Sequence, residues 1–171
     1  QLAPYRYGGE PNRLPGIWEA QLKTLSVSNT GMAVTVDIGN VADIHPTNKQ
    51  DVGKRLCLWA QAKTYGNDDV VYSGPLYQGM EAEGNKIRIS FDHVGSGLAT
   101  WDDRAPNHFE IAGADKVFHP ATAVINGDEL IVSSDKVAEP KAVRYAFTSE
   151  AMPNLMNKEG LPASSFRTVG W

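Results

Sequence analysis

His45 is the residue of this sequence best placed to do chemistry, within Asp43-Ile44-His45-Pro46. An imidazole titrates near neutral pH, so it can take a proton from a nucleophile and return it to a leaving group. A carboxylate beside it fixes the tautomer and stabilises the imidazolium, as in a Ser-His-Asp arrangement. Asp43, two residues earlier, and Asp37 are the candidate acids, and a Ser-His dyad supported by a backbone carbonyl is the third option. The competing reading is that His45 merely caps or orients the helix that follows, and so short a motif does not choose between them. If His45 is a base, its nucleophile is not visible here: there is no GxSxG elbow, and no serine sits in a nucleophile context.

The other histidines, His93, His108 and His119, fall at apparent turns or strand ends and read as structural. No HxH, HExxH or Cys/His spacing calls for a metal, and no P-loop or GxGxxG calls for a nucleotide cofactor. Trp101, Tyr77 and Trp171 could stack on a sugar ring, with core packing as the alternative.

These residues need elements to position them. Leu14, Ile17, Trp18, Leu22 and Leu25 recur at helical spacing, with Pro15 where a first-turn proline is tolerated. Met32, Val34, Val36 and Ile38 alternate with Ala33, Thr35 and Asp37, which predicts a strand ending at Gly39-Asn40. A second helix is predicted from about Asn48 to Tyr65, with Val52, Leu56, Trp59 and Ala60 on its apolar face and Gly66 beyond its end. His45 then lies in the loop past the C-terminal end of a strand, the edge at which open α/β sheets place ligands.

From about Asn67 the pattern changes. Ile87, Ile89 and Phe91 alternate after Gly84-Asn85; Asn126-Gly127 separates two apolar runs; Val143, Tyr145 and Phe147 alternate again. Short strands at this density predict an antiparallel sandwich or barrel. The reading is an α/β slice over 1–66 and an all-β, sandwich-like domain over 67–171. One strand flanked by two amphipathic helices has no sheet to join, and some 65 residues of that kind bury too little surface to offset chain entropy. The expectation is that the rest of the α/β fold lies in a removed segment or a separate chain. The start at Gln1, without an initiator Met or a signal peptide, fits a removed leader or a piece of something longer.

Composition excludes other classes. The 171 residues carry 16 Lys+Arg and 20 Asp+Glu, a net charge of −4, with 42% hydrophobic residues. That is globular composition without the basic footprint of a nucleic-acid or anionic-membrane binder. No apolar run approaches the ~20 residues of a transmembrane helix. One cysteine, Cys57, excludes an internal disulfide framework.

Ordered blocks carry a resemblance. Leu14-Pro15-Gly16-Ile17-Trp18-Glu19-Ala20-Gln21, Asn29-Thr30-Gly31-Met32-Ala33-Val34, Asp43-Ile44-His45-Pro46-Thr47-Asn48-Lys49-Gln50-Asp51-Val52-Gly53, Tyr72-Ser73-Gly74-Pro75, Phe91-Asp92-His93-Val94-Gly95-Ser96-Gly97 and Asn157-Lys158-Glu159-Gly160-Leu161-Pro162 together resemble the C-terminal part of the sialate O-acetylesterase family. The resemblance implies a flavodoxin-like SGNH hydrolase domain followed by a β-rich domain. It implies a cofactor-free serine esterase that removes O-acetyl groups from sialic acid or other acetylated sugars, with the Ser supplied by an upstream segment or second chain. It also implies work in the periplasm or outside the cell. The pattern departs at one point: such enzymes usually place the acid three residues before the His, where this chain has Ala42, leaving Asp43 or Asp37. The alternative function is a non-catalytic β module that binds glycan or buttresses a hydrolase domain.

Overall fold

Pro15 sits where its missing N–H costs nothing, in the first turn of α1 (Arg13–Lys23), and the structure, a computed structural model describing residues 1–171, places that helix where the periodicity predicted it. A 3-10 turn carries the chain on to Ser26. Leu14, Pro15 and Trp18 are buried, while Ile17 is 40% exposed. The second helix, α2 (Lys49–Lys63), is capped by Asn48, whose side chain accepts from the Asp51 N–H. Gly66 adopts φ +70 just past its end, and the Asn67 N–H turns back to the Gln61 carbonyl.

The strand predicted around Met32–Ile38 does not form. Residues Met32 to Val36 are consecutively buried, but they join no ladder, and the chain turns at Val36–Asp37. None of the amide N–H groups of Gly31–Val36 donates to another backbone group. A strand exists only through its neighbours, and residues 1–75 contain no other strand. Met32, Val34 and Val36 do join Leu14 and Trp18 in a small cluster, but Ala33 and Thr35 between them are buried as well, so burial does not alternate. Helix α2 differs from expectation too. Its one buried residue is Arg55, and Leu56, predicted on the apolar face, is 48% exposed.

Ten strands follow: β1 (Leu76–Glu83), β2 (Lys86–Asp92), β3 (Leu98–Thr100), β4 (Phe109–Ala112), β5 (Phe118–Pro120), β6 (Thr122–Asn126), β7 (Glu129–Ser133), β8 (Ala142–Tyr145), β9 (Leu155–Asn157) and β10 (Phe166–Arg167). All pairings are antiparallel: one sheet in the order β1-β2-β7-β6, a second in the order β10-β8-β4-β5, and a β3-β9 pair. The predicted hairpin is β6–β7, with Asn126 facing Glu129 across Gly127-Asp128. Gly127 takes φ +65 there, which a side chain resists. Phe147 lies beyond the end of β8, although it is buried.

Both four-stranded sheets feed one apolar core of 17 residues, among them Ile87, Ile89, Leu130 and Val132 from the first and Phe109, Ile111, Val143 and Tyr145 from the second. Phe166 stands at its aromatic centre, stacked on Tyr77 with ring centroids 4.9 Å apart and touching Phe91 edge-on. The chain is thus a mixed molecule, two helices beside antiparallel sheets. The halves are tied by polar contacts: Arg167 bonds both Glu19 oxygens on α1 at 2.7 and 3.0 Å, and Ser149 bonds the Pro11 carbonyl through both its amide and its hydroxyl.

Candidate functional site

The loop from Asn40 to Asn48 carries His45 and is shaped by its own short polar side chains. Asn40 accepts from the Ala42 N–H through its side chain and from the Asp43 N–H through its carbonyl. Asp43 repeats the device one step on, its Oδ1 accepting from the His45 N–H at 2.9 Å. The same Oδ1 lies 3.2 Å from His45 Nδ1. An Asx-type turn therefore brings acid and imidazole together at a spacing of two. Both side chains face solvent, His45 at 86% and Asp43 at 58% exposure. The His45 amide, and then the imidazole, hold the Asp43 carboxyl below its ordinary range. No hydroxyl of this chain bonds the imidazole, whose hydrogen-bond partner is Asp43.

Asp37 sits elsewhere. Its two oxygens receive Arg55 Nη1 and Nη2 at 2.7 and 2.6 Å, a bidentate pair, and Arg55 Nη1 also bonds the Val34 carbonyl at 2.6 Å. The Arg55 side chain is 8% exposed and that of Asp37 21%. Asp37 and Arg55 bracket the loop, one before it and one after, so their pairing pins both ends of the segment that presents His45. Sequence reasoning weighed Asp37 as an acid and passed over Arg55. The available signal was an acid closing an apolar run with an arginine on the next helix, which describes many unpaired residues as well.

The remaining candidates separate cleanly. His93 and His108 are half-buried, and burial pushes both below the ordinary imidazole value. His93 packs edge-on against Tyr72 at 5.1 Å, part of a seam in which Tyr72 also meets Trp59 and Lys63. His119 lies in β5. Tyr77 is spent on Phe166, and Trp171 leans on Phe118 with Lys116 over its face. Trp101 is 63% exposed and borders a groove of about 340 Å³, together with Asp37, Asp51, Lys54 and Arg55 from the helical half and Leu155 from β9. No group of three or more His, Cys, Asp or Glu side chains gathers where a metal could be held, and no helix is long and apolar enough to cross a membrane.

An acid held against an exposed imidazole is an arrangement of the kind that acid–base hydrolases use. Comparison with known proteins narrows the class. No family model matches the chain. Over 70 residues it is 36% identical to the sialate O-acetylesterase of Mus musculus, covering 37% of this chain and 13% of that protein. It is 39% identical over 62 residues to the Homo sapiens sialate O-acetylesterase, covering 34% of this chain and 12% of that one. Its fold superposes on the crystal structure of a carbohydrate acetylesterase from Xanthomonas citri with a TM-score of 0.93 and 47% identity, covering all of this chain and 40% of that one. The chain thus spans about an eighth of its curated relatives and two-fifths of the solved one. Together these matches support the chain as a C-terminal part of a protein of the sialate O-acetylesterase family.

Proposed function

We propose that this chain supplies the general base of a carbohydrate O-acetylesterase to a serine carried by polypeptide outside these residues. The observation that carries the reading is the His45–Asp43 contact at 3.2 Å, solvent-facing, in a chain 47% identical throughout to part of a carbohydrate acetylesterase. In this reading Asp43 accepts from Nδ1–H and leaves Nε2 as the basic nitrogen. Nε2 removes the serine proton as the oxygen attacks the acetyl carbonyl. The imidazolium then protonates the departing sugar oxygen, leaving an acetyl-enzyme. Nε2 activates the water that releases acetate and restores the serine.

The missing serine is consistent with the unsatisfied helical half. The run Met32–Val36, buried yet unpaired along its amides, is the kind of segment that a sheet strand without its neighbours would leave, and the open Leu56 and Ile17 are apolar surface for such a sheet to cover. We assign residues 1–66 to that hydrolase sheet and 67–171 to a β-rich companion domain. A glycan-directed esterase of this kind works in the periplasm or outside the cell. A second reading, in which the β-rich half braces the hydrolase part without catalysis, is favoured by the Arg167–Glu19 and Ser149–Pro11 ties. The two readings are compatible, one for each half.

The test uses an aryl acetate. The chain alone should not turn it over, and activity should appear with the serine-bearing portion present. In that assembly His45→Ala should lower kcat by orders of magnitude with the fold intact by circular dichroism; turnover near the unaltered level would remove His45 from the mechanism.

A further inference from the structure

The groove between α2 and the β-rich half has a feature that the acid–base site does not use. Trp101 presents a large aromatic face to solvent, at 63% exposure, from the turn that follows β3. The turn is nonetheless held firmly. The Trp101 N–H donates to the Asn154 carbonyl at 3.1 Å. Asn154, 1% exposed, donates through Nδ2 to Asp102 Oδ1 and the Ala105 carbonyl, and its Oδ1 accepts from the Asn107 N–H. The Thr100 hydroxyl closes the same turn onto the Arg104 carbonyl at 2.8 Å. A buried amide with three side-chain bonds is a heavy commitment of polar groups to one loop, and it fixes the backbone from which the indole projects. An aromatic platform ordered in advance loses little freedom on binding.

Opposite the indole stand Asp37, Asp51, Lys54 and Arg55. The two carboxylates and two cations balance, and Asp37 with Arg55 is already neutralised as a bidentate pair. What this wall offers is hydrogen-bonding capacity without net charge. An electron-rich ring face on one side, to meet polarised C–H groups, and mixed donors and acceptors on the other form the complement of a neutral pyranose. The groove's volume of about 340 Å³ suits one or two sugar rings. Its helical wall is the first two turns of α2, immediately after the loop that carries His45.

We propose that Trp101 stacks on a neutral pyranose ring of the glycan, so that the β-rich half binds substrate and does more than brace the hydrolase part. The inference rests on the esterase reading for why a sugar lies there, but its readout is separate. Binding of a partially O-acetylated xylo-oligosaccharide to the 171-residue chain, followed by calorimetry and by the Trp101 indole N–H resonance, needs no catalysis. The oligosaccharide should shift that resonance. Trp101→Ala should weaken binding about tenfold, and Trp101→Tyr should recover much of the loss. O-acetylated sialic acid, which carries a carboxylate, should bind more weakly than the neutral sugar. The proposal is overturned if the unaltered chain does not bind the oligosaccharide at millimolar concentration, if Trp101→Ala binds as tightly, or if the anionic sugar is preferred. Inactivity of His45→Ala bears on the esterase reading alone, so failure of one is distinguishable from failure of the other.

Discussion

Asp43 does two things with one oxygen: Oδ1 takes the His45 amide at 2.9 Å and faces Nδ1 at 3.2 Å. The backbone bond folds the loop so that an acid two residues away reaches the ring. Asp43→Asn keeps an acceptor for the amide but removes the charge. It should therefore leave the loop folded while lowering kcat of the assembled enzyme about 10²-fold or more, through the wrong tautomer and a less stable imidazolium. An unaltered kcat would show that the acid lies elsewhere. The sign of the pH effect follows from the depressed Asp43 pKa. Its ionised form is favoured in the fold, so its hold on the loop is complete above the ordinary carboxylate value and is lost as pH falls through the depressed one. A carboxyl-carbon titration by NMR should show Asp43 titrating below the ordinary aspartate range.

Among the elements, α2 is held less by grease than by charge. Its buried side chain is Arg55, which spans from the Asp37 carboxylate to the Val34 carbonyl. Replacing one partner of such a pair leaves the other uncompensated. Arg55→Met should cost about 3 kcal/mol, and the amides of the Asn40–Asn48 loop should lose hydrogen-exchange protection before those of the sheets. A loss confined to a few tenths of a kcal/mol would mean the clamp is ornamental. In the β-rich half the glycines show where backbone crowding rules. A Cβ on Gly74 would press into the Leu161 and Pro162 carbonyls, so Gly74→Ala should destabilise by more than about 2 kcal/mol in chemical denaturation.

For the whole molecule, stability rests on the 17-residue core shared by the two sheets, with the helical half attached through ion pairs and the Trp59–Tyr72–His93 seam. Burial depresses both His93 and His108 below 6.5. The unfolded chain thus binds more protons than the folded one just below that value, and stability falls as pH drops through it. The unfolding temperature should decline between pH 7.5 and 5, and His93→Asn with His108→Asn should flatten that slope; Asn suits the left-handed φ of +60 and +58 at these two positions. A slope unchanged by the pair would assign the acid sensitivity to other groups.

Local patterns determined what local physics controls. Helix α1 with its early proline, the start near Asn48 and the Gly66 stop of α2, the turn before β2, the β6–β7 hairpin and the core-facing Ile87, Ile89 and Phe91 all follow from periodicity, caps and turn chemistry acting within a few residues. His45 was singled out by its place between a predicted strand, which does not form, and a helix, which does, whereas its contact with Asp43 is local. Tertiary structure decided the rest. Whether Met32–Val36 is a strand depends on partners distant in the chain or outside it, and the alternation there recorded neither the pairing nor the burial of Ala33 and Thr35. That Asp37 meets Arg55, and that Asn154 locks the turn bearing Trp101, are contacts across 18 and 52 residues. Such contacts are set by how elements pack, because charge and hydrogen bonding act through space, and a linear pattern records only what is near along the chain.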